Sequence, residues 1–254
     1  MIRLWSYRGW SVPFVALLLA ELGLRHLDID SQGLALPSEV IAAVGNIIAS
    51  GVIFERTWET LLAIGLGLAV GGGLGVLGGI GLGLSSAASK ITSIAIELFR
   101  PIPPVAVIPI ALLVYGFGIK MEGAIIAFTC FWPMLLLTQA AVSSVEPRLI
   151  EVSSILELSP RKKVMSIILP AAAARIVTAL RLTIGIAFIV AVTTEIAVNP
   201  FGLGHAMMIS QMEMRPSFMY AYVSWLAALG WAINTGLLMI QRRIFGAMGL
   251  EVTQ

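Results

Sequence analysis

Charge, histidine and cysteine are all scarce in this chain. Lys, Arg, Asp and Glu together make up 12% of the 254 residues, about half the share found in a soluble globular domain. Two histidines, His26 and His205, and one cysteine, Cys130, leave no ligand spacing for a metal and no paired catalytic set. The single thiol also excludes an intramolecular disulfide, so its expected role is packing. A net charge of +2, with no basic run interleaved with aromatics, argues against a nucleic-acid partner. A nucleotide-binding loop needs Gly, four residues, then Gly-Lys-Ser/Thr; Ser89-Lys90-Ile91 lacks both the glycine and the hydroxyl.

What the chain has in abundance is apolar surface: 58% hydrophobic residues and a mean hydropathy of +0.96. The expected fold is all-α, a polytopic helical membrane protein, because each crossing of the hydrocarbon core needs about 20 apolar residues in a helix. Six spans are expected, at about 10–24, 57–84, 103–118, 123–145, 176–198 and 219–240. The first reads as an anchor, since no small-residue cleavage site follows it before Glu21, Arg25 and His26.

Cations distribute unequally across the resulting loops. With both termini cytoplasmic, the inner segments carry Arg3, Arg8, Lys90, Arg100, Arg148, Arg161, Lys162, Lys163, Arg175, Arg242 and Arg243. The outer ones keep Arg25, Arg56, Lys120 and Arg215, which is the asymmetry expected of a protein inserted in this sense. Residues 1–56 then form an anchor helix and external loop, 57–243 a transmembrane domain, and 244–254 a cytoplasmic tail.

The second span has a glycine at every fourth position, including Gly67, Gly71, Gly75 and Gly79, which clears one helix face for close packing. That face suits either the chain's own helices or a subunit interface. Pro101, Pro103, Pro104 and Pro109 break or kink the third span, as a helix entry or as a hinge. Met207, Met208, Met212 and Met214 lie with a lone His205 in the loop after the fifth span, where a flexible apolar contact surface is expected rather than a soft-metal site.

The segment from Glu151 to Pro170, EVSSILELSPRKKVMSIILP, interrupts this apolar pattern. Glu151 to Glu157 can form a short helix, with Ser159 as a cap and Pro160 as the first residue of a second short helix. Arg161, Lys162 and Lys163 then stand at a helix N-terminus, where the dipole disfavours cations, so headgroups or an acidic partner surface must compensate.

These residues resemble the membrane subunits of ATP-binding cassette importers, whose signature is Glu-Ala-Ala, three residues, Gly, nine residues, then Ile-x-Leu-Pro. Glu151 opens it and Ile167, Leu169 and Pro170 close it in register, with Val152 and Ser153 at the alanines and Glu157 at the glycine. The stretch 97–118, ELFRPIPPVAVIPIALLVYGFG, Thr193-Thr194-Glu195 and Phe201-Gly202-Leu203-Gly204 are similar to the nitrate, sulfonate and taurine branch. The likeness covers about 57–243.

The resemblance implies a type I importer permease fold in a bacterial inner membrane, with a coupling hairpin at 148–170. It implies as partners two ATPase subunits, a second permease copy, an external solute-binding protein and membrane lipid. ATP and Mg would be used by the partner ATPase, with no cofactor or metal in this chain, which is then no enzyme. Glu151, Val152, Ser153, Glu157, Leu158, Ser159, Pro160, Arg161 and Lys162 would form the ATPase contact. Thr193, Thr194, Glu195, Arg181, Phe131 and Trp132 are the candidates for the translocation path, since intramembrane ionisable and polar groups are costly to bury. Arg181 and Glu195 stand about 21 Å apart along one helix at 1.5 Å per residue, too far to pair, and Arg181 can also snorkel to the cytoplasmic edge. A carboxylate repels an anion, so Glu195 is not expected to bind one directly. The substrate stays open among taurine, alkanesulfonates, nitrate, thiamine-precursor pyrimidines and aromatic acids. A stand-alone secondary transporter, with an ion site at the Gly-rich and Pro-broken helices, is the competing reading. It leaves the hairpin unexplained.

Overall fold

A computed structural model describes residues 5–26 and 33–246 of the protein. The end of the expected tail at 244–254 falls outside them. The described residues are all helical or in turns, in the order α1 (Trp5–His26), α2 (Pro37–Ala49), α3 (Val52–Leu84), α4 (Ser86–Phe99) and α5 (Pro104–Tyr115). There follow α6 (Ile119–Ser143), α7 (Pro147–Ile155), α8 (Pro160–Ala197), α9 (Gly202–Met212) and α10 (Pro216–Gly246).

Four of these helices, α3, α6, α8 and α10, are long and apolar enough to cross a membrane. The pair α4 and α5 supplies up to a fifth crossing, bent by 87° between them. Arg100 to Pro103 make that bend: Pro103 caps α5 and Pro104 opens it, so the prolines act as a helix entry. Of the six expected spans, the first differs most. Its helix forms as α1, but with Arg8, Glu21 and Arg25 it is not among the helices apolar enough to cross. The two longer of the three expected outer loops contain helices, α2 and α9.

The core is built around α6. The glycine stripe of α3 lies against it so closely that side chains have no room: a Cβ on Gly75 would stand 2.7 Å from the Phe131 carbonyl, and one on Gly79 2.7 Å from Thr138 Cβ. Gly67 and Gly71 abut Ile126 and the Ala127 backbone in the same way. The stripe therefore serves packing within the chain, where lipid offers no hydrophobic drive and dispersion contacts between backbones must hold the helices. Ala63, Ile108, Ile125, Ile126, Cys130 and Ala187 fill the main cluster where α3, α5, α6 and α8 meet. A second cluster joins α2, α9 and α10 through Ile47, Leu203, Tyr222 and Leu226.

Hydrogen bonds sort the loops into two ends. At one, Thr60, Gly118, Glu122, Glu195 and Asn199 meet. At the other, the Arg175 guanidinium reaches Ser144 at the end of α6. We call these the carboxyl-rich end and the hairpin end.

Candidate functional site

The hairpin consists of α7, a four-residue turn, and the first residues of α8. Its closure is local chemistry. Leu158 donates its N–H to the Ser153 carbonyl at 3.1 Å and Leu156 to Val152 at 3.0 Å, the six-to-one pattern of a Schellman stop. Such a stop needs one residue in the left-handed region, and Glu157 is there with φ +48°. This is the position that glycine holds in the signature, so glutamate preserves the turn at a conformational cost of about 1–2 kcal/mol.

Burial explains the neighbouring residues. Ser153 is 1% exposed and its hydroxyl donates to the Ile150 carbonyl at 2.5 Å, so only a small side chain fits where the signature has its second alanine. Val152, Ile155 and Leu156 follow the helical i, i+3, i+4 spacing and are all exposed, Ile155 by 80%. Arg148, Arg161 and Lys162 flank this apolar face in the sequence and are exposed as well, Arg148 pairing with Glu146 at 4.0 Å. Among the described residues, no salt bridge involves Arg161, Lys162 or Lys163. Exposed apolar side chains next to cations left without a salt bridge have the composition of a docking surface.

Two expectations change here. Ser159 occupies the cap position of the second helix, but its hydroxyl makes no capping bond; its carbonyl instead accepts from Lys163 N–H at 2.9 Å. Nor is the second helix short. It runs without a break from Pro160 to Ala197. A π turn at Val164–Ile168 widens the backbone just before Pro170, which is how a proline with no N–H and a ring crowding the preceding turn is kept inside a helix.

At the carboxyl-rich end, side chains from two long helices cap a third. The first N–H groups of α9 have no partners within the helix. Gly202 N–H donates to Glu59 Oε2 at 2.9 Å, Leu203 N–H to Thr60 Oγ1 at 3.1 Å and Gly204 N–H to Glu195 Oε2 at 2.7 Å. Thr60 in turn donates its hydroxyl to Glu195 Oε1 at 2.5 Å. Acidic groups at a helix N-terminus also complement its dipole. The Gly-Leu-Gly sequence follows from this geometry. Gly202 has φ +87° and a Cβ there would collide with the Glu195 carboxyl; one on Gly204 would stand 2.6 Å from the Val192 carbonyl.

A second layer ties α6 to the same place. Asn199, fully buried, donates its amide to Glu122 Oε2 at 2.7 Å and accepts from Gly118 N–H at 3.0 Å. His205 on α9 is half-buried, and its pKa is pushed down by burial first and by the Arg56 charge second.

Glu195 and Thr194 thus do not face an open path in this structure. Both are buried, Glu195 completely, and Thr194 bonds back to the Val190 carbonyl at 2.8 Å. Their neighbour Thr193 is exposed. Phe131 and Trp132 belong to an aromatic group on α6: Trp132 stacks on Phe99 at 6.3 Å and meets Phe131 edge-on at 4.9 Å. Arg181 is elsewhere, in a cleft between α8 and α10, with its Nε donating to Asn234 Oδ1 at 3.0 Å. The structure therefore separates the six candidates: Glu195 in a brace, Phe131 and Trp132 in an aromatic cluster, Arg181 in a cleft, and Thr193 and Thr194 bonded within α8. Glu59, Thr60, Glu122 and Asn199 escape the sequence reading; the available signal is that Glu59, Glu122 and Glu195 all fall at the same ends of their spans.

Long apolar helices packed through a glycine stripe and interrupted by an exposed polar hairpin are the architecture of a membrane transport subunit. The protein belongs to the family of binding-protein-dependent transport system inner membrane components, which it matches over residues 71–248, and it is a multi-pass membrane protein. It is similar to the putative aliphatic sulfonates transport permease protein of Bacillus subtilis (strain 168), 26% identical over 85% of this chain and 78% of that one. It is also similar to the taurine transport system permease protein of Escherichia coli (strain K12), 28% identical over 82% of this chain and 78% of that one. Its fold is that of a chain from the MetNI methionine ABC transporter in an inward-facing conformation, with a TM-score of 0.62 at 21% identity over 74% of this chain and 93% of that one.

Proposed function

We propose that this chain is the membrane-spanning subunit of an ATP-driven importer of small anions, of the taurine, alkanesulfonate or nitrate kind. The observation that carries the coupling half of this reading is the hairpin: an exposed apolar face on α7 followed at the start of α8 by Arg161, Lys162 and Lys163, which have no salt-bridge partner among the described residues. An ATPase subunit with an acidic-rimmed cleft would cover that face and satisfy the charges left at the start of α8. Glu151, Val152, Ser153, Glu157, Leu158, Ser159, Pro160, Arg161 and Lys162 are the contact segment, with Ser153 acting from inside by setting the helix close to α8. The anion half rests on the sulfonate and taurine permeases to which the chain is similar.

In this reading the hairpin end faces the cytoplasm of a bacterial cell, because the greater part of the cations lies there, and the C-terminus is on that side; the N-terminus joins it with α1 as a sixth, less apolar crossing. The carboxyl-rich end faces the external binding protein. Two copies of the chain, or this chain and a related one, enclose the path, the unit spanning 57–243 carries it, and the partner ATPases bind ATP and Mg. Arg181, Thr193, Phe131 and Trp132 remain the path candidates, while Glu195 acts by holding α9 and Thr194 is buried with its hydroxyl bonded within α8.

Co-purification tests the reading. An ATPase subunit should co-isolate with the wild-type chain and be lost from Glu151→Lys while membrane insertion is intact. Transport by this chain alone in ATP-free liposomes would overturn it.

A further inference from the structure

Arg181 lies six residues beyond Arg175 along α8, about 9 Å at the helical rise, and so inside the apolar length of the span. A snorkelling side chain would extend toward the hairpin end. The Arg181 guanidinium instead reaches sideways to Asn234 of α10, at 3.0 Å. No acidic residue lies in α10, and the one in α8 is Glu195, about 21 Å away along the helix. The charge has no salt-bridge partner among the described residues. Of the five guanidinium N–H groups, the bond to Asn234 uses one, leaving the two terminal nitrogens in the fork geometry that oxyanions accept bidentately.

The space beside it is made by absent side chains. Arg181 and Asn234 form the polar edge of a cleft of about 160 Å³ walled by Ile184, Phe188 and Ile233. Gly185 and Gly230 leave it open: a Cβ on Gly185 would meet nothing within 4 Å, and one on Gly230 would meet the Phe188 ring at 3.5 Å. That volume equals about five waters at roughly 30 Å³ each, room for a solute of about five to seven non-hydrogen atoms. A half-buried cation with no carboxylate beside it, a neutral amide fixing its plane and an apolar wall opposite together match a small oxyanion with a short hydrocarbon tail.

We propose that the Arg181–Asn234 cleft is an intramembrane binding site for the transported oxyanion, with Arg181 holding the charged head, Asn234 positioning the guanidinium and Phe188 and Ile184 receiving the tail. This rests on the importer reading above and adds to it a site in the membrane subunit itself.

The test uses the complete importer, this chain with its ATPase subunits and binding protein, reconstituted in liposomes with ethanesulfonate, taurine and nitrate as probes. Arg181→Gln should lower import at least tenfold while assembly with the ATPase, read by co-purification, is retained; Arg181→Lys should recover part of the loss. Asn234→Leu should raise the half-saturating concentration several-fold, and Gly185→Leu, which fills the cleft without touching the charge, should reduce ethanesulfonate import more than nitrate import. Wild-type rates in Arg181→Gln would overturn the proposal and leave the importer reading standing. So would an import rate that falls when anionic lipid is omitted in the wild type but not in Arg181→Gln, since the guanidinium would then hold a lipid phosphate. Failure of the wild-type complex to import any probe sinks both.

Discussion

Replacing Glu157 with glycine should strengthen the coupling hairpin, against the usual effect of introducing glycine. Glu157 has φ +48° at the stop of α7, and the turn is closed by Leu158 N–H on the Ser153 carbonyl. A side chain there costs about 1–2 kcal/mol, which glycine would recover. Glycine in turn gives back roughly 0.4–1 kcal/mol through the greater freedom of the unfolded chain. The net gain of about 0.5–1 kcal/mol slows local opening some two- to five-fold, taking RT as about 0.59 kcal/mol. Hydrogen exchange followed on peptides covering 148–170, in the assembled complex and in the isolated chain, measures it directly. Glu157→Ala removes the charge but keeps the Cβ, and should not slow exchange; Glu157→Asn should fall between. An equal gain in Ala and Gly would mean that charge, not backbone geometry, limits the turn, and faster exchange in Gly would refute the strain argument. ATPase association should survive Glu157→Gly, because the backbone conformation that the glycine favours is the one already present.

Other substitutions separate the packing and bracing roles. Gly71→Ala drives a methyl into the Ala127 backbone and should destabilise by about 1–3 kcal/mol, whereas Gly81→Ala, with nothing within 4 Å, should be neutral or stabilising by up to roughly 1 kcal/mol from helix propensity; thermal unfolding in detergent compares them. Glu195→Ala leaves the Gly204 N–H without its acceptor and the Thr60 hydroxyl with only the Arg56 carbonyl and should cost about 1–3 kcal/mol, with Glu195→Gln losing less because one acceptor remains; protease sensitivity near 199–204 reads the difference. His205, whose pKa is lowered, stays neutral in the folded protein where the unfolded chain would protonate. Its contribution is intact above about pH 6.5 and is lost as pH falls below that toward the folded-state pKa, so the wild type should lose more thermal stability between pH 7.5 and 5.5 than His205→Gln does.

Local patterns in the sequence foretell the elements that local physics controls. The glycine repeat of α3 and the residues of the Ile-x-Leu-Pro closure mark a close-packed span and a hairpin, and Glu157 stands at the turn that the signature's glycine implies. What escapes is set by partners far away in the chain. Glu195 looks like a costly intramembrane acid until Thr60, separated from it by 135 positions, and the amides of α9 are brought against it. Ser159 looks like a cap, yet nothing in the sequence tells whether its hydroxyl turns inward. Pro170 reads as the end of a motif; that it lies inside α8, just past a π turn, does not show in its spacing. Arg181 was ambiguous for a similar reason, because the choice between snorkelling and a lateral bond rests on Asn234, 53 positions away.

The unbroken course of α8 makes it a rod about 57 Å long at 1.5 Å per residue, with the basic rim of the hairpin at one tip, the Arg181 guanidinium near its middle and the Glu195 latch at the other tip. A tilt of about 5° at the hairpin tip sweeps the far tip through roughly 5 Å over that length. The π turn beside Pro170 is where the regular hydrogen-bond ladder of the shaft changes pitch, four to eight residues from where the rod begins, so that is where such a tilt would be absorbed rather than transmitted.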